Sequence, residues 1–242
     1  MKEEARIFDE ITRQRRSVRI YDDEAEFDHE SVKRSLERAI LSPNSSNMQL
    51  WEFYRIRSEE LLDKMGPICL NQNAARTARE LVVFVARPDL WSTRRKDLLA
   101  EMERVYGNRT DKQAQRAFKY YRKTMVQYYR NDPFRIWGTT KKIIMWIIGQ
   151  SRPMVRHGNN TDVRISVHKS AALAAQTFML SMKAEGYDTC PMEGMDSIRV
   201  KRLLKLPRKA EVVMVIGCGP GSEKGIYSDR FRIPNEKVIF EL

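Results

Sequence analysis

The stretch from Asp162 to Asp196, DVRISVHKSAALAAQTFMLSMKAEGYDTCPMEGMD, constrains the fold of this chain more than any other. Val163, Val167, Ala171, Ala174, Ala175, Phe178 and Met182 recur at helical spacing, which predicts a long core helix over 162–185 with a broad apolar face. Thr161 or Asp162 is expected to cap its start, because a short side-chain oxygen satisfies a free N–H there, and Gly186 suits the left-handed residue that closes a helix. The helix therefore delivers Cys190-Pro191-Met192-Glu193-Gly194 to one fixed place, expected as a loop. Its Pro and Gly restrain the backbone so that N–H groups can aim at something flat and close.

No Pro/Gly/Ser-rich linker and no internal repeat divides the 242 residues, so one domain spanning 1–242 is expected. Cys69, Cys190 and Cys218, odd in number and far apart, give neither a disulfide framework nor a metal-ligand spacing. The opening residues MKEEARIFDEI lack the apolar run of a signal peptide. The longest strongly apolar run, Ile143 to Ile148, is far short of the ~20 residues a membrane span needs. A reduced, cytoplasmic protein is expected. Forty-four Lys and Arg against 32 Asp and Glu give a net charge of +12, which favours an anionic ligand, a nucleic acid or a membrane surface. The excess reads as dispersed, from Arg13–Arg19 to Lys201–Lys209, and mostly solvated. No nucleic-acid module is recognisable, so no nucleic-acid partner is expected.

Taken in order, residues 3–14 predict an amphipathic helix with Ile7, Phe8 and Ile11 inward. Arg15-Arg16-Ser17-Val18-Arg19 follows: its guanidiniums and hydroxyl can clamp a phosphate through charge-assisted, bidentate hydrogen bonds, or form only a basic surface turn. A second helix is expected from Asp28 to Leu41, capped by Asp28 with Ser31 in its first turn. The loop Ser42 to Trp51, rich in short donors and acceptors, suits a polyol or phosphate, or only a cluster of turns. It leads into a strand Trp51–Arg57 whose Phe53 and Ile56 reach the core, then a helix over 59–66. Leu81–Ala86 and Glu211–Gly217 are apolar runs with β-branched enrichment and read as strands, the first of them central. Gly217-Cys218-Gly219-Pro220-Gly221 is expected as a turn and not a dinucleotide fingerprint, because no helix can start cleanly across it.

These residues carry a resemblance. Arg15–Arg19, the loop ending Asn47-Met48-Gln49-Leu50-Trp51, the turn Pro191-Met192-Glu193-Gly194-Met195-Asp196 and the late Arg230-Phe231-Arg232-Ile233-Pro234 stand in the order and approximate spacing of the FMN-dependent nitroreductase family. The chain resembles that family over residues 8–90 and 160–240. The resemblance implies an α+β fold, a three-layer sandwich with a central, mostly antiparallel sheet flanked by helices. It also implies an obligate homodimer, with the helix 162–185 at the interface. By the same resemblance Arg15, Ser17, Arg230 and Arg232, with Arg16 beside them, hold the phosphate and ribityl chain of FMN, and Arg19 and Asn71 meet the pyrimidine edge of the flavin. Pro43, Asn44, Ser45, Asn47 and Gln49 belong to a loop that reaches the site of the partner subunit. The turn Pro191, Met192, Glu193 and Gly194 lies over the flavin, with a backbone N–H near N5. Leu50 and Met195 depart from the Pro and the aromatic found at these places in many members.

The implied activity is ping-pong hydride transfer: NAD(P)H reduces flavin N5, and a nitroaromatic, quinone or other small electrophile then takes the electrons. A cation such as Arg19 at the pyrimidine edge favours the anionic reduced flavin, which is the protein's lever on the cofactor. No metal and no catalytic side chain is called for. Dehydrogenation or reductive dehalogenation on the same fold is an alternative, as is a non-catalytic protein that binds flavin or a membrane surface. His168 reads as a packing residue or a contact, His29 as a surface helix residue, and Cys190 as a small apolar filler.

Residues 90–160 depart most from a minimal member and read as a helical insertion or lid. Leu98, Leu99, Met102 and Val105 make one helix face; Ala117, Tyr121, Met125 and Tyr128 make another, ended by Pro133. Within 134–148, Trp137 and Trp146 are expected to contact the acceptor as part of a mobile lid jointed at Gly138, Gly149 and Pro153. A competing reading makes this segment a membrane-surface helix, since cations flank its apolar face, and a third makes it packing alone.

Overall fold

The strand Glu80–Ala86 is buried along its whole length, as an apolar, β-branched run between two covering layers must be. The computed structural model describes residues 1–107, 109, 111–129, 136–156 and 159–242, without the side chains of Ile136, Trp137 and Lys141. Along the chain the elements are α1 (Glu3–Gln14), α2 (His29–Ala39), β1 (Trp51–Ile56), α3 (Glu59–Ile68), α4 (Asn73–Arg76) and β2 (Glu80–Ala86). There follow α5 (Trp91–Tyr106), α6 (Lys112–Lys119), a π-helical turn Tyr120–Thr124, α7 (Met125–Tyr129) and α8 (Ile136–Ser151). The chain closes with α9 (Asn160–Ala184), β3 (Asp188–Met192), α10 (Ser197–Leu203) and β4 (Glu211–Gly219). The strands pair antiparallel in the order β1-β2-β4-β3, so β2 is central as expected.

Alternation along the strands fills both faces. Val82, Phe84 and Ile216 pack with Ala171, Ala174, Phe178 and Met182 of α9 and Val32 of α2, while Leu81, Val83 and Val215 pack with Met65 of α3, Ala74 of α4 and Val200 of α10. Phe53 and Ile56 of β1 reach opposite layers. The result is the expected α+β arrangement of helices, sheet and helices. The small alanines of α9 let its backbone lie close to the sheet.

α9 begins two residues earlier than expected. Asn159 is its cap, accepting from Asp162 N at 2.8 Å while Asp162 returns the bond to Asn159 N at 3.1 Å, so the pair forms a capping box in which neither Thr161 nor Asp162 is the cap. Gly186 closes the helix at φ +88°, as its sequence position suggested. Asp28 caps α2 by accepting from Glu30 N at 2.9 Å, with Ser31 bonded back to Asp28 O at 2.6 Å.

Three expectations are overturned. Ile7 and Phe8 of α1 are 45% and 58% exposed, because α1 lies at the periphery of the single chain. Gly217-Cys218-Gly219 continues β4, pairing with β2 on one side and β3 on the other. The glycine is needed there: a Cβ on Gly217 would strike Ala74 O, and Tyr21 Oη donates to Gly217 O at 2.8 Å. The expected loop at Cys190–Gly194 is strand as far as Met192; Pro191 is tolerated because β3 is an edge strand.

Candidate functional site

The arginine segment after α1 is held in place by β3 and by the segment that follows β4. Val18 N donates to Thr189 O of β3 at 3.1 Å, and Arg19 N donates to Gly225 O at 2.9 Å. Gly225 allows this approach, since a Cβ there would lie 2.6 Å from both Ile20 O and Val18 Cγ1. The late segment thereby comes to lie alongside. Arg15, Arg16, Ser17 and Arg19 face Tyr227, Arg230 and Arg232 across a cavity of about 260 Å³. Sequence positions more than two hundred residues apart thus form one basic pocket.

The electrostatics of that pocket are unbalanced. Among the described residues, none of Arg15, Arg16, Arg19, Arg230 and Arg232 forms an ion pair with a carboxylate; Arg16 Nη2 donates to Ser228 O at 2.5 Å and Arg232 Nη1 to Phe231 O at 2.6 Å. Burial, and then the charges of Arg230, Arg232 and Arg16, push the Arg15 guanidinium below its ordinary pKa. Five guanidiniums against the single carboxylate of the lining, Asp229, beside the Ser17 hydroxyl, are the donor set of a phosphate site. Arg230 is partly committed elsewhere. Its guanidinium donates to Arg13 O at 2.8 Å and Arg15 O at 2.5 Å, satisfying carbonyls left open at the C-terminal end of α1.

A second cavity, of about 380 Å³, adjoins the first and shares Arg19 and Tyr227 with it. Asn71, Gln72, Asn73 and Cys190 line the rest. The Arg19 guanidinium stands 5.2 Å from the centroid of the Tyr227 ring, whose hydroxyl accepts from Asn73 Nδ2 at 2.9 Å. Leu70 and Asn71 both adopt left-handed backbone, at φ +58° and +55°. Gln72 Nε2 donates to Gly194 O at 2.6 Å and so ties the turn after β3 to the wall of this cavity. Burial pushes the Cys190 thiol up, against the pull of Arg19 and Arg15.

The structure therefore separates the expected site residues. Arg15, Arg16, Ser17, Arg19, Asn71, Arg230 and Arg232 line the two joined cavities, with Gly194 fastened to them through Gln72. Met192 differs from expectation: its side chain is buried in the layer beneath the sheet, among α3, α4 and α10. Pro43, Asn44, Ser45, Asn47 and Gln49 lie elsewhere on the chain. Their loop is fixed by Asn44 Oδ1 accepting from Gln49 N at 2.8 Å, by Ser45 N donating to Ser170 Oγ of α9 at 3.2 Å, and by a Ser46–Tyr120 hydroxyl pair at 2.6 Å. Trp146 is 62% exposed on α8, in a depression that shares no residue with the basic pocket. The side chain of Trp137, the segment 130–135 that includes Pro133, and His157 lie outside the described residues.

Gln72, Asn73 and Tyr227 were not anticipated. The one signal available was adjacency to Asn71 and to the late arginines. His29 also differs from expectation, since its Nδ1 lies 3.0 Å from Glu80, a carboxylate fully buried beside Arg55. His168 pairs with Glu211 at 2.9 Å. A larger depression of about 430 Å³ near Trp91 and Tyr129 has both signs of charge in its lining, with Arg164 paired to Glu211, Asp89 paired to Arg87, and Lys209 beside them.

Comparison with known proteins follows the same outline. Residues 12–220 match the model of the family described as "Nitroreductase family". The "Putative NAD(P)H nitroreductase YdgI" of Bacillus subtilis is 24% identical over 233 residues, covering 96% of this chain and 95% of that protein. The solved structure of the "putative nitroreductase ydfN" of Bacillus subtilis has a TM-score of 0.77 at 20% identity, over 98% of this chain and 100% of that one. That of a "putative nitroreductase in complex with FMN" from Exiguobacterium sibiricum has a TM-score of 0.67 at 21% identity, over 97% of each chain.

Proposed function

Because this chain belongs to the nitroreductase family, we propose that it is an oxidoreductase that binds FMN and transfers hydride from NAD(P)H to a small electrophile in a ping-pong cycle. The observation that carries the proposal is the set of arginines at Arg15, Arg16, Arg19, Arg230 and Arg232, drawn to one pocket where a single carboxylate, Asp229, stands against five guanidiniums. The FMN of the Exiguobacterium relative and the NAD(P)H in the name of the Bacillus one support the choice of cofactor and donor.

FMN, when bound, supplies hydride acceptance and donation at N5; the protein supplies binding, orientation and charge. Arg15, Arg16 and Arg232, with the Ser17 hydroxyl, hold the phosphate, and Arg230 both faces it and fixes the end of α1. Arg19, steadied over Tyr227, keeps positive charge beside Asn71 at the edge where reduction adds negative charge. Gln72 holds the Gly194 turn at a fixed height above the second cavity, which orients the backbone N–H groups of Glu193 and Gly194. A second copy of the chain brings Pro43, Asn44, Ser45, Asn47 and Gln49 to the site, since in their own chain these residues line neither cavity. Apolar groups left on the surface of the single chain, Ile7, Phe8, Ile165, Leu173, Phe231 and Phe240, favour that assembly.

Oxidation of NADH or NADPH by the purified protein, followed with a nitroaromatic and with a quinone, tests the reading. Parallel lines in double-reciprocal plots at varied acceptor are expected. Flavin-loaded protein that consumes neither nucleotide with any acceptor would contradict it.

A further inference from the structure

The excess charge read as dispersed is in fact concentrated. Residues 90–160 carry 16 Lys and Arg against five Asp and Glu, so this segment holds +11 of the net +12. From Ile136 to Thr161 the sequence contains no Asp or Glu, while Lys141, Lys142, Arg152 and Arg156 fall within it. The ion pairs described in the insertion lie in its earlier part, Arg104 with Glu101, Arg109 with Asp111 and Arg122 with Glu103. Among the described residues, no carboxylate pairs with Lys142, Arg152 or Arg156.

The same segment is apolar on its surface. Ile143, Ile144, Trp146 and Ile147 of α8 are 46–62% exposed. At helical spacing they occupy one side, with Thr139, Thr140, Gln150 and Ser151 as the polar residues among them, and Lys142 stands at the border of that side. Arg156 Nη2 folds back onto Gly149 O at 3.0 Å, which brings a second cation against Ile143, Met145 and Trp146 around a depression of about 380 Å³. No helix among the described residues is long and apolar enough to cross a membrane, and α8 has 16 residues.

We infer that α8 docks the protein on the surface of an anionic lipid bilayer. Ile143, Ile144, Ile147 and Trp146 enter the boundary between headgroups and acyl chains, and Lys142, Arg152 and Arg156 meet the lipid phosphates. Charge complementarity selects this occupant, and the apolar side chains separate it from others. A nucleic acid would match the charge but offers branched aliphatic side chains no apolar medium to enter. A second copy meeting α8 with α8 would set like charges against each other.

Sedimentation of the full chain with vesicles tests the inference. Vesicles of phosphatidylcholine alone are compared with vesicles in which roughly a third of the lipid is phosphatidylglycerol, at low and high salt. The wild-type protein is expected to sediment with the anionic vesicles, less so at high salt and little with the neutral ones. Ile143→Ser with Ile147→Ser should lower the anionic partition coefficient about tenfold or more, with the unfolding midpoint and oligomeric state unchanged. Lys142→Glu with Arg152→Glu should lower it at low salt chiefly. No binding of wild-type protein to anionic vesicles would overturn the inference. So would a Ser variant that keeps wild-type vesicle binding while its acceptor profile changes, which makes α8 a lid, or while the dimer dissociates, which makes it a contact between copies. Tight binding of single-stranded RNA without vesicle binding would assign the charge to nucleic acid and overturn it equally.

Discussion

Arg230 and Arg232 stand two residues apart and do different work. Arg230 bonds carbonyls at the end of α1, whereas Arg232 donates to its neighbour's carbonyl, Phe231 O at 2.6 Å. Arg230→Ala is therefore expected to lower the unfolding midpoint as well as FMN affinity, and Arg232→Ala to weaken FMN alone. Losing one charge-assisted contact to a phosphate should cost ~1.5–3 kcal/mol. Lys209, exposed in a loop, serves as the control, and equal FMN dissociation constants for Arg232→Ala and Lys209→Ala would remove the phosphate assignment. A different residue carries stability. Glu80 is fully buried with Arg55 Nε at 2.6 Å, so Glu80→Ala strands a half-buried guanidinium and should cost about 3–5 kcal/mol in urea unfolding. At this scale the arginines were legible because three of them fall within five residues. Gln72, Asn73 and Tyr227 were not, since their roles arise from contacts 122 and 154 residues away along the chain.

Among the elements, periodicity located α9, β1, β2 and most of β4, because each buries an apolar face long enough to repeat. β3 escaped notice. Its five residues, DTCPM, include a proline and an acid, and its pairing is imposed by β4 and not by its own pattern. The end of β4 was mistaken for a turn because glycines ordinarily punctuate; here Gly217 is a site of close approach within the ladder. Gly217→Ala should accordingly be destabilising by about 1–3 kcal/mol, the usual cost of overpacking, with a matching fall in the denaturation midpoint. An unchanged midpoint would mean that α4 yields to the added methyl group. The apolar face of α1 was assigned to the core of its own chain, yet Ile7 and Phe8 lie open there. A sequence period reports that a face is covered and is silent on which chain covers it.

For the whole molecule, the separation of the Pro43–Gln49 loop from the arginine pocket and the exposed apolar side chains of α1, α9 and the late segment argue for a site shared between two chains. Sedimentation velocity with absorbance detection should place flavin only in the dimer, and raising FMN should raise the unfolding midpoint in step with occupancy. Monomer carrying flavin at full occupancy would contradict the shared site. The net charge also acquires a place at this scale, since nearly all of it lies in the insertion and little on the body that holds the pocket. The central claim is that the arginine pocket exists to hold FMN. Its most direct test is titration of flavin-free protein with FMN in low-phosphate buffer, read by visible absorbance after removal of free ligand. Saturation at about one FMN per chain is expected, with competition by inorganic phosphate as befits a charge-assisted phosphate site. Protein that stays colourless through the titration, while folded, would contradict it.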